Sequence, residues 1–226
     1  MAVRLAKRRW IITVVLATGA AGGLLVLARM GQAVDVDARL RAIDAARGID
    51  EAKNPAGGYT ELVWDWRLPP LDQSSLPASG AGAATLERPW RSADCPKLAA
   101  WIAQRRPIID ELLRLSRYET CWFSVYEARW QASRRSYRAR EWGLLLVRAA
   151  NLDLGEGRAD AALEKLLCVL RVAAHFRAQL SPSDRWAGEE VTRHGLTWLA
   201  RLLVLEEVSE ARLVKIRAAL PATRDT

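Results

Sequence analysis

The sequence predicts an all-α protein, with an N-terminal transmembrane helix followed by an extracytoplasmic bundle of helical hairpins. Three observations lead to this fold class. Residues 10–28 form an uncharged, largely apolar run of the length that crosses a bilayer. Beyond residue 90, apolar residues recur every three or four positions, which is the spacing of one helix face. No alternating strand pattern of useful length occurs in the chain.

The composition of the chain excludes several classes of protein. Its 226 residues are 50% hydrophobic and 27% charged, unlike a disordered chain, which is poor in apolar residues. Three cysteines are too few for a scaffold built on disulfides. The net charge is +8, but four cations lie in the first nine residues, and about +4 on the remainder is a weak balance for nucleic-acid binding. We therefore expect no nucleic-acid partner.

The N-terminal segment is predicted to hold the chain in the lipid bilayer. As a helix, residues 10–28 extend about 28 Å, close to the hydrocarbon thickness of about 30 Å. Cations that flank a membrane helix stay on the cytoplasmic side. We therefore assign residues 1–9 to a cytoplasmic tail and residues 10–29 to a signal anchor in the cytoplasmic (inner) membrane. The C-terminal domain is then expected outside the cytoplasm.

Two alternatives remain open for this segment. A cleaved signal peptide would have its apolar region at residues 10–17 and its cleavage site near Gly19. The apolar residues at 24–27 continue beyond that site, which favours an uncleaved anchor. A buried helix of a soluble protein is the other alternative, but such a helix needs no basic flank.

Between the anchor and the main domain, the sequence predicts a helical segment and a loop. Residues 30–66 form the juxtamembrane helical segment, in which Val36 and Ile43 share a helix face and Gly48 follows as a C-cap. Residues 67–90 are rich in proline and glycine and have no helical spacing. We expect them to form a loop.

Residues 91–226 are predicted to form the α-helical domain, and capping signals indicate several helix boundaries. Asp94 is the predicted N-cap of the first helix. Pro107 should interrupt that helix, because it has no N–H to donate. Ser181 and Pro182 should begin a later helix as its N-cap and first residue.

Neither the cysteines nor the histidines have the spacing of a metal site. Cys95 and Cys121 could form a disulfide outside the cytoplasm, with Cys168 left buried; the alternative is three reduced thiols that pack as small apolar residues. His175 and His194 lie on separate predicted helices. We expect neither a metal ion nor another cofactor.

One segment combines arginine with aromatic residues and precedes a helix predicted over residues 141–154. Arginines interleaved with aromatic rings can bind phosphates, anionic glycans or lipid headgroups. The alternative is a solvated helix or loop whose arginine stems cover apolar surface. The candidate anion-binding residues are Arg129, Arg134, Arg135, Tyr137, Arg138 and Arg140.

A pair of carboxylates next to tryptophans raises the question of a hydrolytic site. Glu61 and Asp65 lie beside Trp64 and Trp66, and glycosidases place two carboxylates in a cleft that is often aromatic. The favoured alternative is a short helix that packs its tryptophans and exposes Asp65. The chain contains no nucleophile elbow, phosphate-binding loop or kinase signature. We therefore select no catalytic residue.

Four groups of residues suggest a family. They are Asn54-Pro55-Ala56 with Tyr59, Trp101-Ile102-Ala103 with residues 107–113, Cys121-Trp122-Phe123, and residues 157–163 continued by 171–175. Together with the basic N-terminus and membrane helix, their order resembles an uncharacterised family of single-pass, membrane-anchored helical proteins known from planctomycete bacteria. The resemblance covers most of residues 50–205 and implies a helical domain outside the cytoplasm. It implies no activity and assigns no functional residue.

These observations predict a single-pass membrane protein whose extracytoplasmic helical domain serves as an interaction or scaffold module. Its expected partner, besides the bilayer around residues 10–28, is a protein or an anionic polymer. Two alternative functions remain open. One is an enzyme that acts on an envelope polymer, and the other is a binder of anionic lipid or glycan through residues 129–140.

Overall fold

The structure, a computed structural model, describes residues 35–64, 81–205 and 210–219, and this part of the chain contains helices, turns and loops but no strand. The predicted all-α fold class is confirmed. The helices are α1 (Val36–Ala46), a 3₁₀ turn (Glu51–Lys53), α2 (Ala56–Trp64), α3 (Ala81–Glu87), α4 (Pro96–Gln104), α5 (Arg106–Leu115), α6 (Val125–Gly155), α7 (Ala159–Arg177), α8 (Pro182–Leu205) and α9 (Glu210–Ala219).

The chain divides into two units. The first, Met1–Ala42, is described only for the beginning of α1, and the second, Ile43–Thr226, contains the rest of the described helices. None of the helices in the described ranges is both long and apolar enough to span a membrane. The predicted membrane helix at residues 10–28 lies outside the described residues and stays a prediction.

The core of the second unit is built by α6, α7 and α8, each of which packs against the other two. Buried leucines such as Leu146, Leu166 and Leu202 come from all three helices. A close approach of backbones lies at Gly188 on α8, where an added Cβ would be 2.5 Å from Arg177 N on α7. A side chain at Gly188 would therefore push α8 away from α7.

α6 begins at Val125, well before the helix predicted over residues 141–154, because two groups cap its first turn. Ser124 Oγ accepts a hydrogen bond from Glu127 N at 3.1 Å. The Asp44 carboxylate on α1 accepts hydrogen bonds from Val125 N at 2.8 Å and from Tyr126 N at 3.1 Å. Burial disfavours ionised Asp44, but these hydrogen bonds outweigh burial and lower the pKa of its carboxyl.

The predicted helix boundaries mostly agree with the structure. Pro107 lies in the first turn of α5, and α4 ends before it, so the predicted interruption is confirmed. α8 begins at Pro182, and Ser181 Oγ accepts the N–H three residues later at 3.4 Å, as predicted. The N-cap of α4 is Cys95 and not the predicted Asp94. The Asp94 carboxylate instead accepts a hydrogen bond from the backbone N–H of Arg91, three residues earlier.

Part of the predicted loop over residues 67–90 is helical. Its last ten residues contain α3, which has three alanines, the residue with the highest helix propensity. The buried amide of Asn151 on α6 donates to Thr85 O at 2.9 Å, and Trp90 N donates to Asn151 O at 3.2 Å. Tertiary hydrogen bonds thus hold α3 and the residues after it against α6.

An aromatic cluster surrounds His175 in the core. Tyr59 OH donates to His175 Nδ1 at 3.0 Å, and His175 Nε2 donates to Tyr118 O at 2.8 Å. Because a carbonyl only accepts, Nε2 carries a proton; burial disfavours a second proton, so the ring is neutral and Nδ1 accepts from Tyr59. Burial lowers the pKa of His175, against the smaller opposite effect of the Tyr118 carbonyl. The rings of Trp142 and Phe176 pack on Tyr59, with centroids 5.9 and 6.0 Å away.

The neutral His175 predicts a loss of stability in acid. Its pKa is below the ordinary value of 6.5 in the folded chain, so between these two values the unfolded chain binds more protons. The free energy of unfolding should therefore fall as the pH drops below about 6.5. Urea unfolding at about pH 5.5 and pH 7.5 measures the difference, which His175→Gln should reduce. The exposed His194 offers the control: His194→Gln should keep the difference, and an unchanged pH dependence in His175→Gln would show the account to be wrong.

All three cysteines carry free thiols in the structure, so the disulfide considered for Cys95 and Cys121 is not formed. Cys121 and Cys168 are buried, and Cys95 is half-buried. Burial raises the pKa of Cys168 to about 12 and raises that of Cys121 strongly. The structure thus agrees with the alternative, in which the cysteines pack as small apolar residues.

Thiol labelling should show that the three cysteines differ in reactivity. The thiolate is the reactive form, so the folded chain should react with a disulfide reagent at Cys95 alone, and slowly, because burial raises its pKa as well. All three thiols should react in urea. Cys95→Ser should remove the reaction of the folded chain, and rapid labelling of Cys121 or Cys168 without urea would contradict their burial.

Candidate functional site

α6 exposes aromatic and basic side chains along its first half. Trp130, Arg134 and Tyr137 are spaced four and three residues apart, which places them on one side of the helix. Trp130 is 74% exposed and Tyr137 is 57% exposed. Trp64 of α2 joins them, because Arg134 Cζ lies 4.2 Å from the centre of its ring. We call these four residues the arginine–aromatic face. Arg129 lies beside it, with Cζ 5.1 Å from the centre of the Trp130 ring.

Two further predicted anion-binding residues, Arg138 and Arg140, have acidic neighbours. Arg138 forms a 2.6 Å ion pair with Glu141 on the same helix. Arg140 Nε lies 2.7 Å from Glu190 Oε2 on α8, and its Cζ lies 4.0 Å from the ring centre of Trp186. Each carboxylate offsets one positive charge. The charge that this segment offers to an external anion is therefore smaller than the sequence suggests.

Arg135, also a predicted anion-binding residue, is buried and is a correction to that prediction. Arg135 is 1% exposed, and its guanidinium donates to both carboxylate oxygens of Asp184, at 2.6 and 3.3 Å. Ser136 Oγ lies 3.0 Å from the same carboxylate, and the guanidinium stacks 3.9 Å from the centre of the Phe123 ring. Arg135 therefore joins α6 to the start of α8 and does not reach an external anion.

The arginine–aromatic face is suited to contact with another molecule. A guanidinium that stacks on an indole ring keeps its in-plane N–H groups free to meet an acceptor. The rings of Trp64, Trp130 and Tyr137 add flat apolar surface beside it. None of its four residues is a carboxylate. The arrangement fits a partner that offers both apolar surface and acidic groups.

A second feature, which the sequence analysis missed, is a cavity of about 250 Å³ between α4, α5, α6 and α7. Its charged residues are Arg106, Asp153, Arg158 and Lys165. Its apolar residues are Ala99, Ile102, Ala103, Ile109, Ala149 and Leu152. No motif marks this cavity in the sequence, because its residues come from four helices and a turn.

A buried ion pair forms the polar wall of the cavity. Lys165 is 8% exposed, and its ammonium donates to Asp153 Oδ2. Arg158 Nε donates to the other oxygen of Asp153 at 2.9 Å. One carboxylate is thus shared by two cations, and Arg158, whose side chain is 52% exposed, also pairs at 4.0 Å with Glu156.

The predicted carboxylates Glu61 and Asp65 provide no described hydrolytic site. Glu61 is exposed on α2, and Asp65 lies outside the described residues. In the described ranges, no three His, Cys, Asp or Glu side chains gather as ligands for a metal ion. An enzyme that acts on an envelope polymer stays a prediction. The described residues provide no site for it.

The resemblance to a planctomycete family, too, stays a prediction. No family model, no curated protein and no solved structure matches the chain.

Proposed function

We propose that the chain is a single-pass protein of the cytoplasmic membrane, anchored by residues 10–28, and that its helical domain outside the cytoplasm is an interaction module. The arginine–aromatic face is its contact surface. The observation that carries the proposal is the exposure of Trp130 and Tyr137, at 74% and 57%, on one side of α6. Large aromatic side chains this exposed are typical of surfaces that a partner covers.

The composition of the face supports a macromolecular partner. Tryptophan, tyrosine and arginine are the residues most enriched among those that dominate binding energy at protein interfaces. The stack of Arg134 on Trp64 also restricts both side chains before binding, which reduces the entropy that association would cost. The partner is a protein with an acidic and partly apolar surface.

The membrane tether supports the same function. Residues 1–9 carry four cations and residues 10–28 carry no charge, the arrangement of a signal anchor whose N-terminus stays in the cytoplasm. A module that is held at the membrane meets a membrane-bound partner at a raised effective concentration. A modest contact surface is then sufficient for binding.

Photo-cross-linking tests the contact surface in native membranes. A photoreactive amino acid at position 130 or 137 should give one discrete adduct, and Arg134→Glu should diminish it. The matched control has the photoreactive amino acid in place of Leu196 on α8. Leu196 is 49% exposed but lies outside the arginine–aromatic face. Equal adducts at position 196, or none at positions 130 and 137, would refute this surface.

A second candidate function is binding of an anionic lipid or glycan, and the position of Arg129 and Arg134 favours it. Both guanidiniums stack on exposed tryptophans, where a phosphate or sulfate could reach them. Retention of the full chain in uncharged detergent on a heparin column should then decrease with salt. R134Q should elute earlier than R138Q, which removes the same charge from an arginine that has an acidic neighbour. Equal elution of both variants would exclude this candidate.

A further inference from the structure

The described part of the chain buries four side chains that are cationic at neutral pH, and three of them have partners. Arg135 and Lys165 each donate to a buried carboxylate. Arg105 stacks on an indole ring, with Cζ 3.8 Å from the centre of the Trp101 ring. The fourth buried cation is Arg148 on α6, which is 9% exposed.

Arg148 differs from the other three because no described residue forms an ion pair, a hydrogen bond or a ring stack with it. Its Nε atom is enclosed and meets no acceptor. Burial lowers the pKa of its guanidinium, with no contribution from a neighbouring charge, but an arginine stays protonated in proteins. A buried charge without a counter-ion is unfavourable. An anion that reaches Arg148 is therefore stabilising.

Position 148 lies on the side of α6 that faces α3 and α4. On a helix, residue 148 is flanked by the residues three and four positions later. Asn151 reaches α3, where its amide donates to Thr85 O at 2.9 Å. Leu152 lines the cavity that α4 also lines, but Arg148 is not part of that lining. Arg148 is thus a separate buried cation, apart from the ion pair of Lys165 in the cavity.

We infer that Arg148 binds a small oxyanion, a carboxylate or a phosphate group, through Nη1 and Nη2. These are the atoms that an external acceptor can meet, because Nε is enclosed. The planar guanidinium offers parallel N–H groups that match two oxygens of such an anion. The small exposure of Arg148 admits only a small anion or a single protruding anionic group. This site does not depend on the function proposed for the arginine–aromatic face.

Urea unfolding of the full chain in uncharged detergent tests the site, with phosphate and acetate as probes and chloride as the reference at equal ionic strength. For a dissociation constant of about 1 mM or less, about 20 mM of the anion should lower the unfolding equilibrium constant at least about twentyfold. The anion that lowers this constant more identifies the group as phosphate or carboxylate. Equal constants in phosphate, acetate and chloride would overturn the inference.

Arg148→Met locates the effect of the anion. Methionine keeps a long side chain without the charge, so in chloride the variant should be at least as stable as the wild type. The dependence on the anion should disappear. Arg106→Met removes an exposed arginine that pairs with a surface carboxylate at 2.9 Å, and it should keep that dependence. An unchanged dependence in Arg148→Met, or a variant that is less stable than the wild type in chloride, would show that Arg148 is not the unpaired cation that holds the anion.

Discussion

Replacement of Asp184 by asparagine is expected to lower the free energy of unfolding by about 3–5 kcal/mol. Arg135 and Asp184 form a bidentate pair whose side chains are 2% and 0% exposed. An asparagine would leave the Arg135 charge buried without its counter-ion, and that desolvation dominates the cost. Urea unfolding of the full chain in mild detergent, followed by far-UV circular dichroism, measures the loss.

Two further variants show whether the loss of stability comes from the unpaired Arg135 charge or from the removal of any carboxylate. Asp110→Asn removes a surface carboxylate that also pairs with an arginine, at 2.9 Å, and should cost less than about 1 kcal/mol. The double variant R135M/D184L removes both charges and should recover most of the stability that D184N loses. If D184N were as stable as D110N, the buried pair would not have the importance assigned to it.

Gly155→Ala should destabilise the fold by about 3 kcal/mol. A Cβ at Gly155 would lie 2.0 Å from Trp90 O and 2.4 Å from Trp90 C, so it would collide with backbone. That backbone cannot retreat freely, since Trp90 N donates to Asn151 O at 3.2 Å. Alanine favours a helix by at most about 1 kcal/mol relative to glycine, which is too little to offset the collision.

Gly57→Ala is the matched control for this glycine. A Cβ at Gly57 would meet nothing within 4 Å, and the residue lies inside α2. Because Gly57 is the second residue of α2, the substitution should stabilise the chain by up to about 0.5 kcal/mol. Opposite signs for the two glycines, in the same urea experiment, are the expected result. A Gly155→Ala protein as stable as the wild type would mean that Trp90 does not pack there.

Local signals predicted the fold class and several helix boundaries. Pro107 and Pro182 act through their own ring and missing N–H, so their effect is visible without tertiary structure. The start of α6 was missed, although Ser124 and Glu127 have the spacing of a capping box. The additional cap, Asp44, comes from a distant helix and could not be recognised from sequence.

The candidate sites were less predictable, because burial decides what a charged residue does. Arg134 and Arg135 are adjacent in a basic segment, yet one lies on the arginine–aromatic face and the other is buried against Asp184. Only the packing of α8 on α6 separates their roles. The pairing of Lys165 with Asp153 likewise depends on the turn that brings α7 alongside α6.

The most direct test of the whole account is the topology of the chain in its membrane. A C-terminal epitope tag should be digested when protease is added to intact spheroplasts, while the N-terminal remainder stays in the membrane pellet after an alkaline wash. That result is expected if residues 10–28 span the bilayer with the basic tail inside. A tag that is protected until the cells are lysed, on a chain that the wash releases, would contradict the anchored extracytoplasmic module.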